Sequence, residues 1–185
     1  MRIVAGRFRS VPLASVGKGD RGAHLRPTAD RVRESLFNLL GNRGAVEGAR
    51  VLDLFAGTGA LGLEAISRGA REAVFVDDGR VAQKLIRENI ARLGVTDCAR
   101  LLRRDATRLG ACDGDGFDLV FLDPPYGKGL GEKALASAAS GGWLAPGGLV
   151  VWEENAEMSA PDGFEAVDRR RYGDTHVTLL LTDPA

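Results

Sequence analysis

The stretch Val51–Ala65 reads VLDLFAGTGALGLEA. It opens as a buried strand, breaks at Gly57-Thr58-Gly59, and resumes as an Ala- and Leu-rich helical pattern through Glu64 and Ala65. Strand, tight glycine turn and helix in that order point to a nucleotide-like cofactor at the turn. Glycines at 57 and 59 allow a sharp turn and a close ligand, since no Cβ stands in the way, while Gly62 allows the helix to pack closely on the strand. The same G-x-G-x-x-G spacing also fits a plain tight turn in a glycine-rich protein, so its meaning depends on the rest of the chain.

Outward from this stretch, strands and helices alternate at the spacing of βαβ units. Strand 51–55 leads to a helix over 60–68, and strand 72–76 to a helix over 80–93 closed by Gly94. Strands over 100–104 and 117–122 follow, then a helix near 130–139 and a strand over 149–153. This series predicts an α/β fold with a mostly parallel sheet and helices on both faces. The segments 164–172 and 175–182, joined by Gly173-Asp174, predict an antiparallel hairpin that completes a seven-stranded sheet.

In open α/β sheets, ligands bind beyond the carboxyl ends of the strands. Acids stand there: Asp77 after the second strand, Asp105 after the third, and Asp123-Pro124-Pro125-Tyr126 after the fourth. Asp77 lies 18 residues past Gly59, near the distance at which an acid meets ribose hydroxyls. Each acid alone fits an ordinary polar strand end. Three on consecutive strands point to a site.

Ahead of the sheet, RIVAGRFRSVPL (Arg2–Leu13) alternates cationic and apolar residues and predicts a short edge strand or hairpin. Ser15 to Ala23 reads as a loop. Pro27 and Thr28 then start a helix through about Leu40, with Val32, Leu36, Phe37 and Leu40 on its apolar side and Arg31 and Arg33 off it, open to solvent or ligand. Gly41–Gly48 is the expected boundary, dividing a basic extension over 1–41 from a main domain over 42–185.

The 185 residues suffice for one sizeable core, with 44% hydrophobic and 27% charged residues, as in soluble globular proteins. No apolar run approaches the roughly 20 residues of a membrane span, and MRIVAGRFRS lacks the apolar core of a signal peptide. A cytoplasmic location and a monomer are the expectations. Cys98, Cys112, His24 and His176 are scattered, so neither a metal site nor a disulfide is indicated. The net charge of zero conceals an asymmetry: residues 1–33 hold eight Lys and Arg against two acids, and the remainder is acidic by the same margin. A basic arm on an acidic body suits a polyanionic partner, or else is a solvated segment.

At these residues the chain resembles a known group. VLDLFAGTGALGLEA, Asp77, the Arg104-Asp105-Ala106 segment and above all DPPY at 123–126 are similar to the motifs of class I S-adenosylmethionine-dependent amino-methyltransferases, which have a Rossmann-like fold. Arg2–Leu13 together with LRPTADRVRESLFNLL (Leu25–Leu40) resembles the start of the bacterial 16S rRNA guanine-N2 methyltransferases. The resemblance implies S-adenosylmethionine as cofactor, and ribosomal RNA or an assembling small ribosomal subunit as partner. Carried over by position, it puts Gly57 and Gly59 against the methionine part of the cofactor, with Asp53 helping to place that part and Phe55 also among the cofactor-binding residues. Asp77 would take the ribose hydroxyls, and Asp105 with Ala106 the adenine. Asp77 stands where the family often has glutamate, so the ribose is reached with one methylene less. Arg7, Arg9, Arg26, Pro125 and Tyr126 would meet the RNA.

The chemistry of DPPY agrees with this assignment. The lone pair of an amino group on a purine is delocalised into the ring, so the group is a poor nucleophile until it is drawn toward tetrahedral geometry and aligned. The Asp123 carboxylate and the Pro124 carbonyl, held by the rigid Pro-Pro pair, can accept its two hydrogens, and Tyr126 can stack on the base. No strongly tuned base is needed, because the methylated amine loses its proton readily. A cytosine-C5 enzyme would need a cysteine nucleophile, and neither cysteine follows a proline. Three other functions remain open. A DNA amino-methyltransferase would share the mechanism, although the chain has no obvious target-recognition domain. A nicotinamide-dependent oxidoreductase would leave DPPY and Asp105 without a role. A non-catalytic RNA-binding protein would not need Asp123.

Overall fold

The computed structural model describes residues 1–16 and 29–184. Within them, α1 (Asp30–Asn42) precedes β1 (Arg50–Leu54), α2 (Ala60–Ser67), β2 (Glu72–Val76), α3 (Arg80–Leu93) and β3 (Ala99–Leu102). A short 3-10 turn (Ala106–Arg108), β4 (Phe117–Leu122), α4 (Leu130–Ser140), β5 (Leu144–Glu154), β6 (Phe164–Tyr172) and β7 (Thr175–Thr182) follow. The seven strands form one sheet in the order β3-β2-β1-β4-β5-β7-β6. The first five are parallel, and β7 pairs antiparallel with both β5 and β6.

Alternation along the buried strands sends successive side chains to opposite faces. Val51, Phe75, Phe121 and Val151 share a cluster with α1, α2 and α3 on one face. Leu52, Leu54, Val76, Leu122 and Trp152 pack with α4 on the other. The helices thus cover both faces as the pattern predicts. Gly62 fits its expected role: a Cβ there would stand 2.4 Å from Phe75 Cε1. Among the described residues, no helix is long and apolar enough to cross a membrane.

Three elements have a boundary that differs from expectation by more than one residue. The third strand ends at Leu102, because Arg103 and Arg104 are exposed and leave the sheet. The strand expected over 149–153 begins at Leu144, before a register shift against β4. Gly147 sits in that shifted stretch at φ +68°, a left-handed turn of the backbone that hides the strand's start from period-based reading. Helix α1 runs to Asn42, and the expected start at Pro27-Thr28 lies outside the described residues.

The N-terminal segment forms the short hairpin of the expectation, with an antiparallel bridge between Arg2 and Pro12 and with Ile3 N–H donating to the Val11 carbonyl and Ser10 N–H to the Ile3 carbonyl. Among the described residues it does not pair with the sheet edge but lies along α2. The buried Glu64 carboxylate accepts from the backbone N–H groups of Val4 (2.8 Å) and Ala5 (3.0 Å) and from Arg68 Nε (2.8 Å). Ser67 Oγ accepts from Phe8 N–H and donates to the Ala5 carbonyl. Ile3 and Leu13 enter the same apolar cluster as Leu36, Phe37 and Leu40, so the extension shares the core of the main sheet. Arg33, expected to be open, is fully buried. Its Nη2 donates to the Arg2 carbonyl and to Asp30, while its Nε and Nη1 are buried with no hydrogen-bond partner among the described residues and Arg31 stays exposed. Val32, expected in the core, is half-buried in its place.

Candidate active site

The strand order reverses at β1: β2 follows on one side and β4 lies on the other. A crevice opens between connections that diverge in this way. The turn after β1 and the DPPY loop after β4 both emerge there, and Asp123 N–H lies 3.5 Å from the Leu54 carbonyl.

The glycine turn has a defined cause at each position. Phe55, Gly57 and Gly59 all have positive φ (57°, 61° and 77°), so the backbone coils on itself before α2 begins. Asp53 Oδ2 accepts from Gly62 N–H at 3.0 Å, tying the end of β1 to the first turn of α2. Asp77 Oδ2 accepts from Gly57 N–H at 2.9 Å, and its Oδ1 from Gly79 N–H at 2.8 Å. Each Asp77 oxygen keeps a second lone pair. Asn89 of α3 donates to the Thr58 carbonyl and clasps both backbone groups of Ala14.

Burial pushes both carboxyls up. For Asp53, desolvation dominates over the Gly62 N–H, and the Asp123 and Asp77 carboxylates add to the rise. For Asp77, desolvation is opposed by the N–H groups of Gly57 and Gly79. Asp105 behaves oppositely. Its carboxylate accepts from Thr107 Oγ1 and N–H and pairs with Arg108, and these contacts hold it below the usual range. Asp105 therefore caps the short turn that holds buried Ala106.

In the DPPY loop, Asp123 and Tyr126 are half-buried, Pro124 is buried and Pro125 is exposed. The loop is fastened from β5: Gly127 N–H donates to Glu154 at 3.1 Å. Asp123, Pro124, Tyr126, Asp53, Gly57, Gly59 and Asp77 thus meet at one end of the sheet, with Asp105 and Ala106 at the neighbouring strand end.

Arg7 and Arg9 are exposed but elsewhere. Arg7 N–H donates to the carbonyl of Ser67, the last residue of α2. The glycine turn opens α2 and Arg7 sits at its far end, about 12 Å away for eight residues rising about 1.5 Å each. Arg26 lies outside the described residues. Exposed cations that do stand at the carboxyl end include Arg31, Lys128, Arg170 and Arg171. Sequence reading passed over Glu64, Asn89, Glu153 and Glu154. The signal for the first two was a polar residue inside an apolar helical stripe. Cys98 and Cys112 are half-buried free thiols pushed up by burial, as structural cysteines are. No group of side chains able to hold a metal exists among the described residues.

Residues 1–181 match the family described as "Conserved hypothetical protein 95". The Bacillus subtilis (strain 168) protein named "Putative rRNA methyltransferase YlbH" is 36% identical over 185 residues, covering 97% of this chain and 97% of that protein. Ribosomal RNA small subunit methyltransferase D of Escherichia coli (strain K12) is 40% identical over 162 residues, covering 87% of this chain and 78% of its own length. The solved structure titled "Putative methyltransferase yhhF from Escherichia coli" superposes with a TM-score of 0.86 at 34% identity, covering 100% of this chain and 99% of that one.

Proposed function

Because the chain belongs to the conserved hypothetical protein 95 family, and to the same family as the Escherichia coli small-subunit methyltransferase D, we propose that it methylates the exocyclic N2 of a guanine in 16S ribosomal RNA, with S-adenosylmethionine as methyl donor. Its fold is the Rossmann-like class I methyltransferase fold. The observation that carries the proposal is that the DPPY loop leaves β4 directly beside the glycine turn that leaves β1.

The residues present suit the cofactor. Gly57 and Gly59 offer backbone without side chains, Asp53 and Asp77 bring acids to both sides of the turn, and Ala106 gives an apolar wall. Asp53 and the turn would hold the methionine part, Asp77 the ribose, and Asp105 with Ala106 the adenine. When bound, the cofactor supplies an electrophilic methyl group on a sulfonium. Asp123 and the Pro124 carbonyl accept the amino hydrogens of the base and orient its nitrogen, with Pro125 and Tyr126 bounding the ring. The base must be unstacked to enter, which RNA loops allow at small cost.

The test is incubation with labelled S-adenosylmethionine and, separately, unmodified small ribosomal subunits, their naked RNA and duplex DNA, followed by nucleoside mass analysis. N2-methylguanosine from the ribosomal samples alone is expected. A methylated deoxynucleoside would move the substrate to DNA.

Neutralising Arg7 and Arg9 together, with Arg26 as a third site, should weaken RNA binding and lower the slope of log affinity against log salt by about 0.7–0.9 per lost phosphate contact. Because Arg7 and Arg9 sit away from the crevice, KM should rise while kcat holds. An unchanged salt slope would mark the basic arm as a solvated segment.

A further inference from the structure

Glu153 lies near the end of β5, beside the crevice, and nothing above gives it a role. The register pairs Asp53 with Phe121 and Phe121 with Val151. Strand alternation then sets Asp53, Asp123 and Glu153 on one face of the sheet, at the carboxyl ends of three adjacent strands. One step beyond the last paired residues, Leu122 and Trp152, that register sets Glu153 beside Asp123. Glu153 is 3% exposed, and its Oε1 has no hydrogen-bond partner among the described residues. A buried carboxylate oxygen left unpaired is costly, and ionised carboxylates crowded together add to that cost. Such a group keeps a proton or waits for a cation.

Resting on the cofactor assignment above, we propose that Glu153 is the positioning residue for the cationic aminoacyl end of the cofactor: its carboxyl is partly protonated in the empty protein and gives up that proton when the ammonium group binds beside it and Asp53. The O–H bond of Glu153 breaks, its proton leaves to solvent, and the ligand's ammonium supplies the counter-charge. Burial, with Asp53 adding to it, raises the Glu153 carboxyl from 4.5 to about 7, so this exchange falls at neutral pH.

Among the described residues, the surroundings of Glu153 supply no ready cation. From β1 and β4 come Asp53 and Asp123, both acidic. Across on β7 stands apolar Val177, and beyond it on β6 Arg170, which is exposed and paired with Asp168. Helix α1, packed on this face through the Phe37–Phe121 contact, brings Asp30 and Arg33, which pair with each other. Glu64 of α2 is taken up by Val4, Ala5 and Arg68. On β5 itself, Glu154 points to the opposite face and holds Gly127.

The experiment is calorimetric titration of the full chain with S-adenosylhomocysteine in buffers of different ionisation enthalpy. At pH 7 the wild type is expected to release about half a proton per ligand bound, and to bind about tenfold more weakly at pH 6 than at pH 8. Glu153→Gln should release almost none and show a flat profile. 5′-Methylthioadenosine, which shares the nucleoside but lacks the aminoacyl end, should release none from either protein. Carbon NMR of the Glu153 carboxyl in the wild type provides a check that needs no variant: its titration near pH 7 should move down on loading with S-adenosylhomocysteine. Proton release that persists in Glu153→Gln, or a carboxyl titration unmoved by the ligand, would overturn the proposal. Failure of the folded wild type to bind S-adenosylhomocysteine would overturn the cofactor assignment, and this proposal with it.

Discussion

Asp123→Ala should lower methyl transfer at least 100-fold while cofactor affinity stays within a few fold. One preorganised contact to a reacting group is worth about 10²–10³ in rate, and Asp123 would make its contact to the base amino group, on the far side of the reacting atoms from the nucleoside pocket. The backbone of the loop should survive the change. It is held independently by Gly127 N–H on Glu154 and by the Pro-Pro pair, so lost rate would not reflect a lost loop. Single-turnover methylation measured beside equilibrium binding of S-adenosylhomocysteine separates the two effects. Full turnover in the variant would remove Asp123 from the reaction. Equal loss of rate and of cofactor binding would make it a cofactor ligand.

The second large effect is on stability. Glu64→Ala should destabilise the protein by about 3 kcal/mol, since truncation leaves two backbone N–H groups and the Arg68 guanidinium without the buried carboxylate they share. For a domain of this size that corresponds to roughly 6–12 °C in Tm. The segment over residues 1–13 should loosen at the same time. Amide exchange at Ile3, whose N–H donates to the Val11 carbonyl at 3.0 Å, and at Ser10, which donates back to the Ile3 carbonyl at 2.8 Å, reports that directly. Unchanged melting with both amides still protected would show that Ile3 and Leu13 alone secure the segment.

The parts legible in the sequence were those written in local patterns. Glycine spacing disclosed the turn, and Gly62 its packing on Phe75. Strand alternation located most of the sheet, and the acids at successive strand ends located the crevice. Interactions spanning long separations were not legible. Glu64 meets Val4 across 60 positions and Asn89 meets Ala14 across 75, and no local period encodes which distant N–H a buried side chain will take. Arg33 shows the same limit. Its spacing put it off the apolar stripe, but Asp30 and the Arg2 carbonyl drew it inside. The N-terminal segment alternated like a strand, yet a buried carboxylate on α2 offered its N–H groups partners that a sheet edge would otherwise have supplied. Glu153 could be placed only once the strand order had set β5 next to β4.

The position of β7 has a consequence for how the chain is made. It is the last in sequence of the described strands, yet it lies inside the sheet, between β5 and β6, with Val177, Leu179 and Leu180 fully buried. During synthesis β6 emerges first and has no neighbour to join, while the apolar row Leu149–Trp152 of β5 waits with an open edge. About 28 residues separate the end of β5 from the end of β7, or roughly 1–6 seconds at 5–20 residues per second. For that interval the nascent chain displays a sticky strand edge that β7 has yet to cap. Slowing synthesis after β5 has left the ribosome and before β7 has done so should therefore favour aggregation, whereas slowing it before β5 emerges should not.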